Sequence, residues 1–113
     1  MPNDTSAEKF LLWTRQIASD TDSLGVELRT SVGVPTTRRA DVHLVTDEAL
    51  CQRASIAADS AGEVPSPSGG CVHVARIGTG YYAAHRVGWH AGEWGMVFFF
   101  DSTFAPKKAV VTY

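Results

Sequence analysis

The chain has 113 residues, 44% of them hydrophobic and 19% charged, which is the balance of a folded globular protein and not of a disordered tail. That length supplies one hydrophobic core, so residues 1–113 are expected to form a single domain. A formal net charge of −2 argues against a nucleic-acid binder, no apolar run approaches the roughly 20 residues of a membrane-crossing helix, and the polar start Met1-Pro2-Asn3-Asp4 lacks the form of a signal peptide.

Thr5-Ser6-Ala7-Glu8 has the form of a capping box and predicts a helix from residue 5 to about residue 19. Phe10, Leu11, Thr14, Ile17 and Ala18 fall on one stripe of it. Leu12 and Trp13 lie off that stripe, so the helix is expected to be wrapped on two sides. From 26 to 34 the period changes to two. Val26, Leu28, Thr30, Val32 and Val34 alternate with Glu27, Arg29, Ser31 and Gly33, which reads as a half-buried strand closed by Pro35.

A short strand over 42–45 leads into Thr46-Asp47-Glu48, read as a helix start with Thr46 as cap and two acids at the positive end of the dipole. Leu50, Cys51, Ala54, Ala57, Ala58 and Ala61 share one face, small enough to lie close on a sheet. Ile56 points away from that face for no reason visible in the sequence. Residues 62–70 are a Gly, Pro and Ser-rich loop.

Four further strands are expected at about 72–77, 81–87, 94–101 and 108–113, in a meander. Gly78-Thr79-Gly80 reads as a three-residue hairpin loop. Ile77 then pairs with Tyr81, Ala75 with Ala83, and His73 with His85. Tyr81, Ala83 and His85 lie beside Phe100, Phe98 and Met96, followed by Ala109, Val111 and Tyr113. The fold class is therefore α+β: two helices with a four-stranded antiparallel meander plus one or two N-terminal strands.

Cys51 and Cys71 are too few for a disulfide-dense scaffold. They could be a staple, two free thiols, or a reactive thiol with a bystander. The staple is the sharpest reading, because the parity of the strand and the face of the helix place both sulfurs between the same two layers. A Cys71 thiolate beside His73 is the competing chemistry, and a disulfide removes it.

The same parity gathers His73, His85, His90 and Glu93 at one rim of the sheet, close to Trp89 and Trp94. These imidazoles are candidate ligands for zinc or copper, with Glu93 as ligand or base, although no cofactor is required by any motif. A two-residue loop would break the juxtaposition and set His73 opposite Arg86. The other face carries Arg76, Tyr82, Arg86 and Phe99, a mixture typical of partner-binding surfaces or of a homodimer interface, unless an N-terminal element covers it. No complete dinucleotide fingerprint and no nucleophile elbow is present.

The motifs Val42-x-Leu44-Val45-Thr46-Asp47-x-Ala49-x-Cys51 and Ala91-Gly92-Glu93-Trp94 give the chain a resemblance. Over residues 40 to 101 it resembles small exported bacterial proteins in which a strand and a Cys-bearing helix precede a meander. That group has no established activity to carry over. The resemblance implies export, hence an extracellular or periplasmic location reached with a signal segment. The leading expectation is a non-catalytic binding module that recognises a protein or saccharide partner through its sheet. The alternative is a metal-dependent enzyme, hydrolytic or redox, using the histidine rim.

Overall fold

A computed structural model describes residues 5–19, 23–34, 41–61, 70–86 and 94–111. The first stripe folds as expected into helix α1 (Thr5–Ser19), burying Ala7, Phe10, Thr14, Ile17 and Ala18. It is covered on one side only. Leu12 is 58% exposed, while Leu11 and Trp13 pack at the margin of the core.

The segment expected as a strand over 26–34 is instead helix α2 (Ser23–Val32). Gly25, Leu28 and Val32 are its buried residues, spaced at three and four, whereas Val26 is exposed. The alternation of branched residues concealed this second period. The stop signal is Gly33, at φ 85°. Its N–H donates to the Thr30 carbonyl at 3.0 Å, and that of Val34 donates to Arg29 at 2.8 Å. This pair of bonds is a Schellman closure, which needs a residue in the left-handed region.

Strand β1 (Val42–Leu44) precedes helix α3 (Glu48–Ala61), and strands β2 (Cys71–Ile77), β3 (Gly80–His85), β4 (Met96–Phe100) and β5 (Pro106–Val111) follow. All five pair antiparallel in the order β1-β2-β3-β4-β5. The fold is α+β, with three helices among the described residues rather than two. The cap of α3 is Asp47, whose Oδ1 accepts from the Leu50 N–H at 2.8 Å. Thr46 does other work: its hydroxyl oxygen accepts from the Val74 N–H at 2.8 Å, tying the helix entrance to β2.

The β3–β4 register is the expected one: Tyr81 opposite Phe100, Ala83 opposite Phe98, His85 opposite Met96. The β2–β3 register is not. Its loop is the two residues Gly78 and Thr79, and Gly80 pairs with Ile77. A glycine of positive φ at the first position of a two-residue loop suits the twist of a hairpin, and Gly78 has φ 58°. Gly80 belongs to the strand because α2 ends against it. A Cβ there would lie 1.9 Å from Val32 Cγ1 and 2.6 Å from the Phe100 carbonyl oxygen.

That one-residue shift reverses the faces of β2 relative to the expectation. Ala75 and Ile77 join Tyr82, Ala84, Val97 and Phe99 beneath α1 and α2. Val74 joins Ala83, Met96, Phe98 and Phe100 beneath α3, with Phe104 and the partly buried Leu50. The register shifts again between Cys71 and His73, a bulge that returns Cys71 to the α3 side. Lys108 donates to the Glu27 carboxylate, joining edge strand β5 to α2.

Candidate functional site

The sheet separates the histidines that parity had gathered. His73 stacks on Phe10 of α1, with ring centroids 5.7 Å apart, and lies opposite Ala84, neither His85 nor Arg86. His85 meets Phe98 edge to face at 5.2 Å on the α3 side. The two imidazoles lie on opposite faces of the sheet, so His73 and His85 do not share one zinc or copper ion as the parity expectation had them. His90, Glu93 and Trp89 lie outside the described residues. Among the described residues no group of three or more His, Cys, Asp or Glu side chains is placed to hold a metal ion.

The expected binding face is also dispersed. Tyr82 and Phe99 are fully buried, ring centroids 4.3 Å apart, because α1 and α2 fold over them. Arg76 is exposed on the opposite face, with its guanidinium 5.9 Å from the Tyr81 ring centroid. Arg86 is exposed beyond the end of β3. Trp94 is engaged by Phe10 at 5.6 Å and Trp13 at 6.1 Å, so it braces α1. A dimer through Tyr82 and Phe99 is excluded by their burial.

Two buried groups are electrostatically unusual. His85 is fully buried, and neither ring nitrogen has a hydrogen-bond partner among the described residues. Burial pushes its pKa down from 6.5 to about 4, so the imidazole is neutral near pH 7. Burial likewise pushes the Tyr82 hydroxyl up, with the Arg29 charge pulling partly back. Asp101 is the reverse case at an exposed turn. The Thr103 hydroxyl and the Ala105 N–H donate to its carboxylate and hold its pKa below the ordinary value.

Cys51 and Cys71 are joined at disulfide distance, with Cα atoms 5.2 Å apart. The staple expected from the sequence is present. It came out right because the bulge before His73 compensates the shifted hairpin. Beside it the Cys71 N–H donates to Ser55 Oγ at 3.1 Å, a second tie between α3 and the start of β2.

These ties frame an open recess of about 450 Å3 lined by Glu48, Cys51, Gln52, Ser55, Ile56, Gly70 and Cys71. Residues 48, 52, 55 and 56 of α3 follow one another at helical spacing, so they form one stripe along the wall. Ile56 is 68% exposed there, the largest exposure among the big apolar side chains of the described residues. Its outward direction was visible in the sequence. The polar partners Glu48, Gln52 and Ser55 were not, since the recess exists only once Gly70 and Cys71 are laid beside the helix. Chemically the wall offers methyl groups and sulfur next to an amide, a hydroxyl and a carboxylate. Comparison with protein-family models, curated proteins and solved structures finds no match to this chain.

Proposed function

We propose that this protein is a small exported binding module that recognises a protein partner through the recess between α3 and the start of β2. The observation that carries the reading is Ile56, largely exposed on a wall shared with Glu48, Gln52 and Ser55. An apolar anchor among adaptable polar groups is the composition of a recognition site. The disulfide fixes the two sides of the recess relative to each other, which lowers the ordering cost of binding. The complementary segment presents an apolar side chain to Ile56 and a basic one to Glu48.

A disulfide in a small domain supports an oxidising compartment, hence the periplasm or the extracellular space. No helix among the described residues is long and apolar enough to cross a membrane. A protein partner is favoured over a saccharide because Trp94, the candidate stacking platform within the described residues, is committed to Phe10 and Trp13. A binding role is favoured over metal-dependent catalysis because His73 and His85 do not meet.

Selection of a displayed random-peptide library against the native protein tests this. Enriched peptides should pair an apolar with a basic residue and lose about tenfold or more in affinity for Ile56→Asp, the effect of removing one anchor. Peptides that bind the wild type and Ile56→Asp equally would place recognition elsewhere.

A further inference from the structure

The disulfide braces the recess, and it also forms part of the open wall, which bracing alone does not require. Both cysteines are only half-buried. Cys51 sits among Glu48, Gln52 and Ser55 on the open side, while Cys71 lies directly across the strand pair from His85. The Arg86 N–H donates to the Gly70 carbonyl at 3.0 Å, just outside that pair. Such flanking marks a non-hydrogen-bonded pair, whose Cβ atoms approach to about 4.5–5.5 Å. Cys71 therefore has His85 as its cross-strand neighbour. In the intact disulfide the Cys71 sulfur lies 3.8 Å from the His73 carbonyl oxygen, and neither imidazole nitrogen of His85 has a partner among the described residues, so the ring is unengaged until the bond opens.

We infer that Cys51–Cys71 is a site of thiol–disulfide exchange, open from the recess to a small external thiol, with His85 assisting release of the Cys71 sulfur. The external thiolate attacks Cys51 Sγ, forming a new S–S bond as the Cys51–Cys71 bond breaks. The electron pair leaves on Cys71 as a thiolate, which then takes a proton from water. A second external thiolate attacks the external sulfur of the mixed disulfide. Its bond to Cys51 breaks, Cys51 leaves as a thiolate and takes a proton from water, and the two external sulfurs depart as their own disulfide, having supplied both electrons. A neutral imidazole retains one N–H donor, and a thiolate leaving beside it gains a hydrogen bond that the disulfide cannot accept as strongly. Exchange is faster the better the leaving sulfur is stabilised.

The fold is equipped to survive the open state. Ser55 still holds the Cys71 N–H, Thr46 still holds the Val74 N–H, and the Val45 N–H donates to the Val74 carbonyl at 2.8 Å. None of these bonds passes through sulfur. The dithiol can therefore close again in place, which makes the exchange reversible. This inference does not rest on the protein partner, since it concerns the sulfurs and not Ile56.

The test uses the full oxidised chain, reduced glutathione as the thiol, and acid-quenched peptide mass analysis. The expected result is a glutathione adduct on Cys51, formed at a rate that stays flat in urea below the unfolding transition. His85→Phe should slow the reaction by about tenfold or more, the weight of a hydrogen bond to a charged group, while His85→Gln, which keeps an N–H donor, should retain most of the rate. An adduct on Cys71, or a rate that rises with urea in step with global unfolding, would overturn the site. Equal rates in all three proteins, or equal loss in both variants, would overturn the part given to the imidazole. The wild-type urea series decides the matter even where a variant does not fold.

Discussion

Beneath α1 and α2 the sheet presents Ile77, Tyr82, Val97 and Phe99 to Phe10, Leu28 and Val32, all of them 2% exposed or less. Beneath α3 it presents Val74, Ala83, Met96 and Phe98 to a helix whose buried residues, among those described, are Ala54 and Ala58. Burying a large apolar side chain contributes about 1.5–3 kcal/mol, and an alanine much less. The first face is thus held by area. The second gains less from its helix and is held by specific ties: the disulfide and the bonds from Thr46 and Ser55 to β2. A helix secured at a few points can leave a recess beside itself, and the candidate site lies on that side of the sheet.

The two faces should differ most at Phe99. Phe99→Ala removes a fully buried ring packed on Tyr82 and Trp13, and should cost on the order of 3–5 kcal/mol in urea unfolding. A loss below about 1 kcal/mol would mean that the α1 and α2 face is not held by packing.

The next effect is on the other face. Replacing both Cys51 and Cys71 by Ala should cost about 3 kcal/mol, since the bond closes a loop with a sequence separation of 20 residues. Melting under native conditions with unchanged stability in the double variant would remove the staple from the account.

On the α3 side, His85 makes stability depend on pH. Its pKa is 6.5 as a free side chain and about 4 in the folded protein, so the unfolded chain binds the proton more tightly. Stability from this group is complete above pH 6.5 and is lost as pH falls from there toward about 4, by up to about 3 kcal/mol. Urea midpoints measured at neutral pH and at about pH 5 should fall further in the wild type than in His85→Phe. Identical pH dependence in the two proteins would show that the imidazole is not buried in its neutral form.

What the sequence revealed divides along the same line. The β3–β4 pairing was legible because both strands are nearly continuous apolar runs, the pattern of central strands buried on both faces, bounded by turn residues. α3 was legible from its small-residue face, and Ile56 stood out as unplaced. β2 was misassigned because Gly80 looks like a loop residue, and only the approach of Val32 makes it a strand residue. The expected strand over 26–34 failed for a related reason: Gly33 closes a helix there, and the spacing of Gly25, Leu28 and Val32 competes with a louder alternation. Losing that strand put a helix over Tyr82 and Phe99 and removed the expected binding face. The histidine rim failed with the β2 register, whereas the disulfide survived because a bulge restored Cys71 to its face.

Hydrogen exchange on the oxidised protein and on the Cys51→Ala, Cys71→Ala double variant separates attachment by ties from attachment by packing. If α3 is secured by ties and the opposite face by packing, amide protection in α3 should fall more steeply than in β3 and β4 when the disulfide is removed. The added loss would report local opening of the helix from the sheet. Protection falling by one common factor in α3, β3 and β4 would contradict this account, because both faces would then open only together.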